Sequence, residues 1–416
     1  MANRIYLCLA HMSEEGLEQK YIKEAFDTNW VVPLGPNVNG FEADLEAFCG
    51  QNKRVVALSA GTAAVHLGLL ACGVGPGDEV CVQSFTFCAS SHPITYLGAT
   101  PVFIDSEKET WNMDPELLEE AIKDRIAKTG KKPKAIVPVA LYGMPYKIAR
   151  IMEIANKYEI PVVEDAAEGF GSRFNGQVLG TFGKYGVLSF NGNKMITTSG
   201  GGALITENED EWREIMMYAT QYRESYPYYQ HEKIGYNYRM SNICAGIGRG
   251  QMTVVNEHIA HHKHVQKLYE ELLKDVKGVT VHSQPATGEY DSNYWLCTIT
   301  LDSDLKIKGQ ENAYKTIVKG AVGGAAGVIH VADSATTDCQ PNDNVEALRV
   351  YMDAAGIEAR PVWKPMHKQP VYKNAPAYVN GVSEAIFKVG MCLPAGPYVS
   401  DEDVKYIVQT IKDSLA

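Results

Sequence analysis

From residue 54 to residue 206, short apolar runs alternate with segments of helical length, and this alternation limits the fold more than any other feature of the chain. VVALSA (55–60), EVCVQSF (79–85), TPVFID (100–105), KAIVPVAL (134–141) and PVVEDAA (161–167) read as strands. YGVLSF and GGALIT follow as two more. Between them, GTAAVHLGLLACG (61–73), SSHPITYLG and IARIMEIANKYE (148–159) read as helices, as does the stretch opened by Asp114 and Pro115 and running to about Lys128, where Asp is a cap and Pro suits the first turn. Such alternation predicts right-handed βαβ units and an α/β fold, with a mostly parallel mixed sheet sandwiched by helices. Ligands of such sheets bind beyond the carboxyl ends of the strands. A long helical segment, 241–274, leads out of this unit. The expected division is 1–260, an N-terminal segment plus the large domain, and 261–416, a smaller α+β domain. Within the latter, 319–338 is rich in Gly, Ala and small polar residues and receives no assignment.

Three strand ends carry polar residues with chemical possibilities. SAGTAAV (59–65) is a small-residue turn opening a helix, where backbone N–H groups and the helix dipole can hold a phosphate. Small residues open many helices, so the signal alone is weak. VVEDAAE (162–168) ends an apolar strand in two carboxylates, and Asp165 falls at the ligand-binding edge; a helix N-cap is the other reading of that Asp. In SFNGNK (189–194) a hydroxyl and an amine lie close along the chain. A lysine in a partly desolvated pocket is a Schiff-base nucleophile, although most lysines are solvated. Taken together, a phosphate cradle, a carboxylate and a lysine on successive strand ends meet the needs of pyridoxal 5′-phosphate (PLP): its phosphate, its ring nitrogen and its aldehyde.

FEADLEAF, SAGTAAVHLGLLACGVGPGDEV, SFTFCAS, GATPVFID, LYG, VVEDAAEGFGS, LGTFGKYGVLSFNGNKMITTSGGGALIT and GYNYRMSN occur in that order, with IEARPVWKPMH and CLPAG following near the C-terminus. In these motifs the chain resembles the DegT-type sugar-nucleotide aminotransferases, which are fold-type I PLP-dependent transferases. The 302–345 region is where the likeness is lost. The resemblance implies that Lys194 bonds the cofactor aldehyde and shuttles protons, and that Asp165 pairs with the ring nitrogen. It gives Gly61, Thr62 and Ser189 the phosphate, and it stacks Phe87 on the ring. Glu168 stands where many relatives carry Gln or His near the cofactor's 3′-oxygen. Asn237 would reach the phosphate from the other subunit of a homodimer, with Arg239 a neighbour. Relatives with histidine in place of the lysine are dehydratases, so Lys194 points to transamination.

The resemblance also implies the substrates: L-glutamate as donor and a keto-sugar on a nucleoside diphosphate as acceptor. NWVVPLGP (29–36), which contains Trp30, the Tyr-rich segment 218–238 and RPVWKPMH (360–367) resemble substrate-contacting parts of enzymes acting on UDP-4-keto-6-deoxy-HexNAc, and the pairing of EDAAE with SFNGNK and TTSGGG looks most like those of the UDP-N-acetylbacillosamine type. Arg360, Lys364 and His367 would offset diphosphate charge and Trp363 would stack on a base. The tyrosines suit a dimer interface equally well. A GDP- or dTDP-linked sugar, or a non-catalytic PLP-fold regulator, are the alternatives.

The net charge of −11 argues against nucleic-acid binding. No apolar run approaches the length of a membrane span, and MANRIYLCLAHMSEEG lacks the features of a secretory signal. Nine cysteines with no C-x-x-C pair suit a reducing cytoplasm. HIAHHKHV (258–265) spaces His258 and His262 as a metal pair would be, but without a matching third ligand it reads as a solvated helix face, and no metal is expected. GVGPGD (73–78) follows a helix and reads as a helix stop and turn.

Overall fold

A computed structural model of the chain describes residues 4–314 and 339–416, so 319–338 lies outside the described residues. The alternating segments form two four-stranded sheets. One has the order Arg54–Leu58, Gly202–Thr206, Tyr185–Ser189, Val163–Asp165, and the other Ala377–Tyr378, Thr100–Ile104, Glu79–Gln83, Ala135–Val137. Parallel bridges Ile136↔Val162 and Val139↔Asp165 join them edge to edge. The pairings are parallel except the two made by Gly202–Thr206, as expected for a mostly parallel mixed sheet.

Burial explains why the strands read as continuous apolar runs. Along Arg54–Leu58, Val55 and Ala57 pack into one core while Val56 and Leu58 pack into another, so both faces are covered. The helix Gly61–Ala71 covers one face; Pro115–Thr129 and Ile148–Tyr158 cover the other. Asp114 caps its helix as expected, its Oδ1 accepting the amides of Glu116 (2.9 Å) and Leu117 (3.3 Å).

A further, antiparallel sheet of order Val279–Val281, Cys297–Leu301, Gly390–Leu393, Arg360–Pro361 forms the smaller α+β unit. Helices Asp343–Ala354 and Asp401–Ser414 pack with it around Leu348, Ile407 and Ile411. The expected segment 241–274 is two helices, Asn242–Met252 and Val255–Leu273, parted at Thr253 and Val254. The second inserts Val255 and Ile259 into the large core, and Val265, Tyr269 and Leu273 into the small one. Two segments cross the division expected at 260/261. Ala377–Tyr378 is the edge strand of the large sheet, and Ile5 pairs with Ile357 beside the small one.

The long helix corrects one expectation. His258 and His262 do not face solvent; they are 5% and 0% exposed. An imidazole can be buried when a backbone group takes up its hydrogen. His258 Nδ1 lies 3.2 Å from the Met195 carbonyl and His262 Nδ1 3.1 Å from that of Tyr294. Burial depresses both pKa values, that of His262 to about 3, so both rings are neutral. A carbonyl only accepts, which puts the hydrogen on Nδ1. No group of three or more potential metal ligands occurs among the described residues.

Candidate active site

Successive strands of the large sheet end at one edge, where their loops enclose a cavity of about 350 Å³, within the usual range for a small-molecule site. Gly61, Thr62, Phe87, Asp165, Glu168, Ser189, Lys194 and Trp363 all line it.

The phosphate cradle follows from small residues. Ala60, in extended conformation, precedes the helix Gly61–Ala71, and no side chain caps it, which leaves a ready site for an anion. Ser189 stands beside the turn: a Cβ on Gly61 would lie 2.9 Å from Ser189 Cβ and 3.2 Å from its Oγ. A Cβ on Gly202 would lie 2.4 Å from Gly61 N, so the triple glycine lets the strand carrying it approach the cradle. Ser189 and Gly202 are paired in the sheet.

Asp165 is buried at the end of its strand. Its Oδ2 accepts the Ser90 hydroxyl at 2.6 Å and its Oδ1 the Ala167 amide at 3.1 Å. Burial raises its pKa against these two donors and the charge of Lys194. Glu168 is also buried. Desolvation pushes it up to about 7, opposed by Lys194 and by the Tyr142 amide, which donates to Oε2 at 2.7 Å. Lys194 Nζ lies 3.5 Å from Glu168 Oε1. Phe87, Trp363, Tyr142 and Trp295 form an aromatic wall, with ring centroids 5.4 Å apart for Phe87–Trp363 and 5.1 Å for Tyr142–Trp363.

The donor set fits PLP: a helix start and a serine hydroxyl for a phosphate, a buried carboxylate for a protonated ring nitrogen, and a lysine for an aldehyde. The cradle is too tight for a side chain at position 61.

Six expected residues stand outside the cavity lining. Arg239 is engaged by the Glu42 carboxylate and donates to the Ala57 carbonyl at 3.0 Å, which makes it a brace between segments. Arg360 pairs with Glu358 on the surface (2.6 Å). His367 meets the Ser84 hydroxyl at 2.6 Å. Trp30 is 39% exposed and its carbonyl accepts the Asn242 side chain, while Lys364 is partly exposed. Asn237 is exposed. Sequence reasoning passed over Ser90, although it lies in the quoted SFTFCAS, and over Trp295, which no motif marked.

The family model described as the DegT/DnrJ/EryC1/StrS aminotransferase family matches residues 12–319 and 328–412. The chain belongs to this family. The match continues into the 302–345 region where sequence reasoning had lost the likeness. Over 415 residues the chain is 40% identical to EpsN of Bacillus subtilis, whose name describes a pyridoxal phosphate-dependent aminotransferase, covering 99% of this chain and 96% of that one. It is 32% identical to a GDP-perosamine synthase of Escherichia coli O157:H7 over 98% of both chains. A crystal structure of a family member from Brucella abortus superposes with a TM-score of 0.81 at 27% identity, covering 96% of this chain and 95% of that one. The protein is therefore a PLP-dependent sugar aminotransferase of fold-type I, and no helix among the described residues is long and apolar enough to cross a membrane.

Proposed function

We propose that this aminotransferase moves the amino group of L-glutamate to C4 of a UDP-linked 4-keto-6-deoxy amino sugar. The observation that carries its chemistry is the convergence of Lys194, Asp165 and the Gly61–Thr62 turn on one cavity. When bound, PLP supplies an aldehyde that holds the amino group and a ring that withdraws electrons from the substrate carbon. Lys194 Nζ takes the proton from Cα of the donor and, in the second half, delivers one to C4 of the sugar. Asp165 keeps the ring nitrogen protonated, held in place by Ser90 Oγ and the Ala167 amide. Gly61, Thr62 and Ser189 bind the phosphate. Phe87 and Trp363 exclude water from one wall. Glu168, whose carboxyl is pushed up to about 7 by burial, lies 3.5 Å from Lys194 Nζ.

The reaction is proposed to run in a homodimer in the cytoplasm. Phe26, Val31 and Leu34 are exposed in one stretch, and Tyr226, Tyr228, Tyr229 and Ile234 in another, an apolar display that a second copy would cover. Asn237, exposed beside the latter, would complete the cavity of that copy. The UDP reading rests on the likeness of residues 29–36, 218–238 and 360–367 to enzymes of that substrate class. A second reading, a GDP-linked sugar, is favoured by the GDP-perosamine synthase relative.

Turnover should be measured with glutamate and a panel of UDP-, GDP- and dTDP-linked 4-keto-6-deoxy sugars. The proposal expects the highest kcat/KM with the UDP amino sugar. A tenfold preference for a GDP sugar would replace it with the second reading.

A further inference from the structure

Trp295 lies far from the cavity motifs in sequence, yet its indole face is against the amine the chemistry depends on. Lys194 Nζ sits 4.0 Å from the centre of the Trp295 ring. The ring is 3% exposed, and its Nε1–H donates to the carbonyl of Asn193, the residue before the lysine, at 2.6 Å. It cannot turn away from Lys194 without breaking that bond.

A fully buried amide, Asn293, sets the ring's position from below. Asn293 Oδ1 accepts the Trp295 amide at 2.9 Å, while its Nδ2 donates to the carbonyls of Glu168 and Phe170, each at 2.9 Å. One side chain thus ties together the two groups that flank the amine, Glu168 and Trp295. The space for it is created at Gly143 (φ +95°), where a Cβ would fall 1.9 Å from Asn293 Oδ1. From the long helix, His258 and His262 hold the carbonyls of Met195 and Tyr294, the residues that follow Lys194 and precede Trp295.

We propose that Trp295 is a positioning residue for Lys194: its face holds the protonated amine beside Glu168 whenever the amine is not bonded to the cofactor, so that the proton it has taken is in place for delivery. This rests on the reading of Lys194 as the reactive amine. The face of an indole attracts an ammonium group, from roughly a 3-fold preference at an exposed site to roughly 30-fold in a desolvated one.

Trp295→Leu and Trp295→Phe test it, with Trp295→Met as a second faceless, space-filling variant should the leucine form not fold. In cofactor-free protein, trace acetylation read by peptide mass spectrometry should modify Lys194 about 3- to 30-fold faster in the leucine variant, relative to the other lysines. The phenylalanine variant, which keeps an aromatic face, should stay nearer the wild type. In the holoenzyme, the leucine variant should lower kcat with KM for glutamate within about twofold, and raise the isotope effect with Cα-deuterated glutamate. Unchanged labelling and an unchanged isotope effect in the leucine variant would overturn the role of Trp295. Should Lys194→Ala instead still form a borohydride-reducible link to PLP and turn over, the reading of Lys194 itself would be overturned, a result independent of Trp295.

Discussion

Among the described residues no cation is in direct contact with Asp165; hydroxyl and amide donors hold it, and burial raises its pKa. A buried carboxylate in that condition gains most from a ligand that brings its own positive charge. The expected consequence is selective. Asp165→Ala should fold, because Ser90 can turn to Thr86 Oγ1 at 2.8 Å, but should lose kcat by about 100-fold or more. Asp165→Glu should recover part of it. Steady-state kinetics on cofactor-saturated protein check this, and a loss below tenfold would remove Asp165 from its proposed role. Of the site's residues, those on strand ends were legible because a parallel sheet brings its carboxyl ends together. Trp295 was not, because its bond to Asn193 spans 102 residues of chain and no periodicity records it.

At the scale of elements, most strands and helices of the large sheet were readable, since both-face burial makes continuous apolar runs. The histidines of the long helix were misread because polar side chains were counted as solvated, and their backbone carbonyl partners come from distant loops. The helix Asn242–Met252 shows another signal that sequence alone left unused. A Cβ on Gly248 would meet the Phe41 ring at 2.7 Å, and one on Gly250 the Glu18 backbone at 2.5 Å. These glycines let the helix lie close against Leu17–Asp27 and Pro36–Cys49. Gly248→Ala gains helix propensity, yet it must displace a fully buried ring. The net expectation is a destabilisation of about 1–3 kcal/mol, read as a lower midpoint in denaturant titration. A rise in the midpoint would show that Phe41 repacks freely.

For the whole molecule, stability should depend on pH through Glu164. This carboxyl is fully buried, and burial pushes its pKa up to about 7 from 4.5, against the amides of Gly180, Phe182 and Gly183. The folded chain therefore binds this proton more tightly than the unfolded chain. Its stabilising contribution is complete below about 4.5 and is lost as the pH rises through about 7. Glu164→Gln should remove up to about 1.4 kcal/mol per pH unit of slope within that window, leaving a shallower curve. Melting temperatures of wild type and variant from pH 5 to 7 check it, and parallel curves would contradict it.

The strand Ala377–Tyr378 closes the large sheet at Phe103 and Ile104, and this bears on how the chain is made. Its partner strand leaves the ribosome tens of seconds earlier at ordinary rates of synthesis. During that interval Thr100–Ile104 presents an unpaired edge, a template for pairing with other chains. The final sheet can close only once the C-terminal segment has emerged.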